Sequence, residues 1–224
     1  MPASNFGNTR IKNRLPVAKE GLPFIFTSIG LTLLFLWMSF LILSIITVIL
    51  SLFIIYFFRD PERENAVDDI TVLTPADGKI IDIQHIKDGN NPLGGPAAKV
   101  SIFMSVFNVH VNRVPVSGRI SKITYHPGNF FSANLDKASE KNENNRITLQ
   151  TADGRKIVFI QIAGLIARRI VCWIKEEDDV KIGQRFGLIR FGSRLDIYLP
   201  GNSRIAVQLR HKVKAGKTIL GYLS

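Results

Sequence analysis

From Leu22 to Phe58 the chain carries no charged residue, and this run of about 37 positions constrains the fold more than any other feature. As one continuous helix it would extend roughly 55 Å at 1.5 Å per residue, far beyond an upright crossing of a bilayer's hydrocarbon core. Two helices folded back on each other fit the length, each a little under twenty residues, with the reversal near Met38 to Leu41. A single, strongly tilted helix is the competing arrangement, because no Gly, Pro or Asn cluster marks a turn. Arg10, Lys12, Arg14 and Lys19 precede the run and Arg59 and Arg63 follow it. Basic flanks favour the cytoplasmic side, so both ends inside means a hairpin. The run is too long for a signal-peptide core and no small-residue cleavage site follows it. It also lacks the polar face expected of a helix at the surface of a soluble core. The organisation read from this is a basic tail over 1–21, a membrane anchor over 22–58 and a soluble domain over 59–224.

The soluble part is long enough for one compact domain and short for two. The lone Cys172 excludes an internal disulfide and suits a reducing compartment; its simplest role is that of a small buried apolar residue. Lys and Arg number 29 against 18 Asp and Glu, a formal charge of +11. Beside a membrane anchor, anionic lipid accounts for that excess most directly, at about 1 kcal/mol per basic side chain near the surface. Nucleic acid is disfavoured, since much of the aromatic content lies in the apolar run and none is interleaved with a basic stretch as a stacking surface requires.

After Pro61, which ends the helical run, the texture changes to short β-branched segments separated by Gly, Pro, Asn or Asp. Strands are expected over 70–73, 79–83, 99–103, 118–125, 146–150, 156–162, 185–191, 194–199, 205–209 and 218–220. Asp153-Gly154 is a strong hairpin signal. Only 163–173 and 133–141 offer helical turns, so the expected class is mainly β, a barrel or sandwich of small sheets joined to the helical hairpin. The polar segments 87–95 and 132–145 read as surface or binding loops.

No phosphate-binding glycine loop, dinucleotide fingerprint or metal-spaced cluster is present; His85, His110, His126 and His211 are scattered, so no metal site is expected. Three stretches hold an acid, an imidazole and a hydroxyl: Pro75-Ala76-Asp77-Gly78, the run Val109-His110-Val111-Asn112-Arg113, and Gly192-Ser193. Those are the parts that activate a weak nucleophile. Gly-Ser is also ordinary turn vocabulary, and here it is expected to form a hairpin turn between two strands.

Taken together and in order, Pro75-Ala76-Asp77-Gly78, Val109-His110-Val111-Asn112-Arg113, Pro127-Gly128 with Phe130, Asp136-Lys137-Ala138-Ser139, Asn142-Glu143, Ala167-Arg168-Arg169-Ile170-Val171 and Arg190-Phe191-Gly192-Ser193 resemble the short form of the phosphatidylserine decarboxylase family. The resemblance covers nearly all of the soluble domain. It implies a proenzyme that cuts itself between Gly192 and Ser193 into chains 1–192 and 193–224, which stay together as a heterodimer, with higher oligomers left open. It further implies that Ser193 becomes a covalent pyruvoyl cofactor, which forms a Schiff base with phosphatidylserine and yields phosphatidylethanolamine and carbon dioxide. Glycine at 192 leaves the scissile carbonyl approachable. The family's longer form has an Asp-x-His-x-x-His run where this chain has Asn108, His110 and Arg113. His110 is therefore the remaining imidazole for proton transfer, unless Asp77 activates Ser193 through another group. Arg113, Arg168, Arg169 and Arg190 are the candidates to hold the lipid phosphate or the substrate carboxylate, which guanidinium groups pair in bidentate fashion.

The expected protein is thus a pyruvoyl-dependent carboxy-lyase on the cytoplasmic face of a bacterial inner membrane, acting on phosphatidylserine and not on nucleic acid. Two rivals are a membrane-tethered, non-enzymatic β-domain that binds anionic lipid or a protein partner, and a pyruvoyl enzyme for a soluble amino acid.

Overall fold

The computed structural model describes residues 16–64, 67–128, 142–164, 169–190 and 192–224. The chain divides into two compact units, one built on Lys12–Glu62 and one on Arg63–Ser224.

The first unit is a helical hairpin of α1 (Leu22–Trp37) and α2 (Leu41–Phe57). Its two ends are tied by backbone hydrogen bonds, Ala18 N to Phe58 O at 2.8 Å and Asp60 N to Pro16 O at 2.7 Å, so both ends leave on one side. The reversal uses Ser39 in the left-handed conformation, φ 61°. Its N–H bonds Leu36 O at 3.0 Å and the N–H of Phe40 bonds Phe35 O at 2.9 Å, which together close α1 as a glycine normally would. The packing is inside-out relative to a soluble helix pair. Ser28 and Thr32 of α1 and Ser44, Thr47 and Ser51 of α2 are buried, while Trp37 is 82% exposed and Ile42 75%. The hydroxyls bond back to carbonyls three or four residues earlier, as Thr32 Oγ1 does to Ser28 O at 2.9 Å and Ser51 Oγ to Thr47 O at 2.8 Å. Small residues at the contact and large apolar ones outside is how helices pack in lipid. The stretch Lys19–Trp37 is long and apolar enough to cross a membrane; α2 is somewhat shorter.

The second unit is almost entirely β. In chain order its strands are β1 (Thr71–Leu73), β2 (Gly78–Ile86), β3 (Ala97–Met104), β4 (Val111–Arg113), β5 (Gly118–His126), β6 (Asn144–Gln150), β7 (Lys156–Ala163), β8 (Ile170–Cys172), β9 (Asp179–Val180), β10 (Arg185–Ile189), β11 (Ser193–Pro200), β12 (Arg204–Ile205), β13 (Lys212–Val213) and β14 (Ile219–Tyr222). Eight form one curled sheet in the order β13-β2-β3-β11-β7-β6-β5-β9, and two three-stranded sheets, β1-β14-β12 and β4-β10-β8, complete the unit. Alternation along each strand sends Val100 and Ile102, Ile147 and Leu149, Ile157 and Phe159, and Leu195 and Ile197 into one core, which Phe186 of β10 also enters. Asp153-Gly154 closes the β6–β7 hairpin as expected, with Gly154 at φ 87°. Hydrogen bonds from the Arg155 guanidinium and then the Thr151 hydroxyl lower the Asp153 carboxyl to about 2.

Three expectations need correction. Gly192-Ser193 is not a hairpin turn, because β10 pairs with β4 and β8 whereas β11 pairs with β3 and β7; the dipeptide passes the chain from one sheet to another. The described part of 163–173 is not helical: it ends β7 and supplies β8, whose Val171 carbonyl lies where a Cβ on Gly187 would come within 2.2 Å, so the bare glycine of β10 permits the pairing. The stretch 205–209 contributes only the end of β12. The helical turns expected over 133–141 lie outside the described residues.

Candidate active site

Ser193 opens β11 at one end of the large sheet, opposite Met104 of β3 on one side and Ala163 of β7 on the other. Counting in steps of two from Leu195 and Ile197 puts Ser193 on the core face, and it is fully buried. Its Oγ donates to Met104 Sδ at 3.4 Å. The same count along β7 and β6 brings Gln161 and Asn145 to this face, so at this end the core turns from apolar to polar. The amides form a ladder: Asn145 Nδ2 donates to Gln161 Oε1 at 3.1 Å and Gln161 Nε2 to Asn112 Oδ1 at 2.9 Å. Asn112 Nδ2 then reaches Met104 Sδ at 3.7 Å, the sulfur that receives the Ser193 hydroxyl. Asn112 belongs to β4, so the ladder joins the small sheet to the large one. Every member is buried, where an unmet amide group would cost roughly 1–3 kcal/mol.

Gly192 has φ 57°, a conformation that L side chains rarely adopt, yet a Cβ built there meets nothing within 4 Å. The backbone angle and not crowding selects glycine, and that flank of the Gly192–Ser193 peptide is open.

His110 lies just before β4, buried between the buried Val109 and Val111. Its Nδ1 is 3.0 Å from Asn108 O. A carbonyl can only accept, so Nδ1 carries the proton and Nε2 of the neutral ring is the basic nitrogen. Asn108 is itself braced, its Oδ1 accepting from Ser105 N and Oγ, each at 2.9 Å. The carbonyl of His110 accepts from Ile189 N at 3.4 Å, and Ile189 packs on Ala163, the strand partner of Ser193. The imidazole and the serine are therefore carried by neighbouring pieces of backbone.

Asp77 sits one residue before β2, at the same end of the sheet. Its carboxylate is fully engaged: Arg63 donates to Oδ1 at 2.5 Å and to Oδ2 at 2.9 Å, and Ala215 N donates to Oδ1 at 2.7 Å. Arg63, read from sequence as a basic flank of the apolar run, is thus a buried brace. Arg113 is buried, with Nη1 on Gly183 O at 2.9 Å and its backbone N on Pro75 O at 2.8 Å. Arg190 and Arg169 stand side by side through Arg190 N on Arg169 O at 3.2 Å, with Arg169 exposed and Arg190 half-buried just before Gly192. Arg168 lies outside the described residues, as do Phe130, Asp136–Ser139, Ala167 and Phe191. Among the described residues no group of His, Cys, Asp and Glu is placed to hold a metal.

Sequence reasoning missed Met104, Asn145 and Gln161. Only Gln161 left a signal, as a polar residue on the core-facing register of an otherwise apolar strand. Burial pushes the Cys172 thiol up, in keeping with a packing role, and its Sγ donates to Ile174 O at 3.4 Å.

A family model described as phosphatidylserine decarboxylase matches residues 50–221, about three quarters of the sequence. A phosphatidylserine decarboxylase proenzyme of Syntrophus aciditrophicus (strain SB) is 53% identical over 209 residues, covering 92% of this chain and 96% of the relative. Proenzymes of the same name from Desulfotalea psychrophila (strain LSv54 / DSM 12343) and Geotalea uraniireducens (strain Rf4) are 49% and 46% identical, covering 95% and 93% of this chain and 99% and 97% of those relatives. With that extent of matching, the chain belongs to the phosphatidylserine decarboxylase family.

Proposed function

We propose that this chain is the precursor of a pyruvoyl-dependent phosphatidylserine decarboxylase, anchored by its hairpin to the cytoplasmic face of a bacterial inner membrane. The observation that carries the proposal is the Gly192–Ser193 junction: a buried serine preceded by a left-handed glycine at the meeting of two sheets, in a chain whose relatives are named proenzymes. Ser193 Oγ attacks the Gly192 carbonyl carbon and the peptide C–N bond breaks, leaving an ester and a free Ser193 amine. Loss of the Ser193 α-proton then expels the Gly192 carboxylate from Cβ. Hydrolysis of the resulting enamine releases ammonia and leaves a pyruvoyl group at the start of the short chain.

The surroundings suit that group. Ser193 is paired on both sides at the head of β11, so the new terminus stays in place, and the Met104 thioether that holds the hydroxyl also presents an apolar wall to a methyl. When formed, the pyruvoyl supplies an electron sink for the pair released as the substrate carboxylate departs. His110 is the candidate proton carrier through Nε2, its tautomer set by Asn108. Arg169 and Arg190 are better exposed to hold substrate phosphate or carboxylate than Arg113, which is tied to Gly183. Asp77 acts on this reading by fixing Arg63 and the 215 backbone beside β2. The partners are phosphatidylserine and the two cleaved chains themselves.

Denaturing mass analysis tests the proposal: the expected products are chain 1–192 and a fragment 193–224 that begins with a carbonyl in place of an amine. Ser193→Ala is expected to leave one intact chain. An active preparation consisting only of intact chain, or carbon dioxide release from free serine in preference to phosphatidylserine, would overturn it.

A further inference from the structure

We infer that the segment Arg204–Lys217, with Lys79 beside it, is a docking surface for the anionic headgroups of a bilayer. From Ile197 to Ser224 the sequence has no Asp or Glu but carries Arg204, Arg210, His211, Lys212, Lys214 and Lys217, and all six are exposed. β13 is an edge strand of the large sheet; its alternation buries Val213 in the core and turns Lys212 and Lys214 outward. The register sets Lys212 directly opposite the exposed Lys79. Like charges facing each other across a strand pair destabilise it unless an anion lies between them.

Among the described residues none supplies that anion: Lys79, Arg210, Lys212, Lys214 and Lys217 make no ion pair. Asp77, two residues from Lys79, is already engaged by Arg63. Leu209, at the turn into this edge, is 56% exposed and is followed by Arg210 at φ 70°. An exposed apolar side chain followed directly by Arg210, His211 and Lys212 suits the boundary between headgroups and acyl chains. No Phe, Tyr or Trp lies between 204 and 217, so a nucleic acid would find charge with little to stack on.

The edge also lies at the correct end of the fold. Val213 pairs with Gly78, at the end of the sheet where Ser193 begins β11, and the order β13-β2-β3-β11 separates them by three strand spacings, roughly 15 Å along the sheet. Lipids on this edge and a lipid at Ser193 can therefore belong to one leaflet. The surface stands without the decarboxylase reading; only this last relation uses it.

The test places the full-length protein in nanodiscs of phosphatidylcholine alone and of phosphatidylcholine with phosphatidylglycerol, so that the hairpin is inserted in both. Backbone hydrogen exchange over 204–217 is then compared. Exchange is expected to slow only in the anionic discs and to recover at high salt. Replacing Lys79, Lys212 and Lys214 together by Gln should weaken the lipid contact by about fivefold per side chain and restore the neutral-disc exchange rate. The same variant should still cleave at Gly192–Ser193 and turn over a soluble short-chain phosphatidylserine normally, which separates this test from that of the enzyme. Equal exchange in both kinds of disc, salt-insensitive protection, or equal protection by duplex DNA in neutral discs would overturn the assignment.

Discussion

Asp77→Ala separates a bracing role for this carboxylate from a chemical one. In the fold the carboxylate accepts three hydrogen bonds, two from Arg63 and one from the backbone of Ala215, and both side chains of the ion pair are more than nine-tenths buried. Deleting one partner of such a pair leaves a buried charge without its counter-ion, at a cost of roughly 3–5 kcal/mol. Arg63 keeps its bond to Ala215 O at 2.6 Å, which argues for the lower end, about 3 kcal/mol. For a domain of this size that corresponds to a melting point lowered by about 10 °C. The measurement is thermal unfolding in detergent on a Ser193→Ala background, so that every sample is a single uncleaved chain. Adding Arg63→Met to Asp77→Leu should recover much of the loss, because removing both partners leaves no orphaned charge. Unchanged stability in Asp77→Ala, together with abolished cleavage when Ser193 is restored, would refute the bracing argument and move Asp77 into the chemistry.

Gln161→Leu strands the Asn145 amide and the Asn112 carbonyl at once and is expected to cost about 3 kcal/mol in the same unfolding assay and to slow cleavage; an unaffected cleavage rate would mean that the ladder does not position Ser193. Gly192→Ala meets no clash and imposes only the left-handed backbone penalty of about 1 kcal/mol, so the domain should fold while self-cleavage, followed by mass, slows about fivefold. Asp153 should titrate near 2 by NMR. Its folded value lies below the unfolded one, so the contribution of the β6–β7 turn is complete above the ordinary carboxylate range and fades as the pH falls toward 2; a midpoint near 4 would show that the turn is not held by Arg155 and Thr151.

What could be read from sequence was what depends on local pattern. The charge-free run and its basic flanks revealed the hairpin, and alternation located most of the large sheet's strands. The hairpin's turn carried no marker because Ser39 takes the place usually filled by glycine. Gly192-Ser193 looked like a hairpin because two β-rich segments flank it, but their pairings are distant in sequence: β11 joins β3, some ninety residues earlier. The same distance hid the ladder, whose amides come from β4, β6 and β7 and meet only when two sheets close. Asp77 and Arg63 were each legible as charged residues. That they cancel each other was not, since nothing at fourteen residues' separation signals a contact.

The position of Ser193 in the sheet has a consequence for how maturation is controlled. β11 is an interior strand, bonded along its length to β3 and β7, and the residues after it go on to supply β12, β13 and β14 to two different sheets. On the proposed reading, a cut at the head of β11 severs a covalent link between two pieces that the strand pairing continues to hold together. The geometry around the bond exists only once strands from both ends of the domain are already in register. On the proposed reading the cleavage works as an internal inspection: a misfolded copy never acquires its reactive group, and a correctly folded one acquires it once and irreversibly.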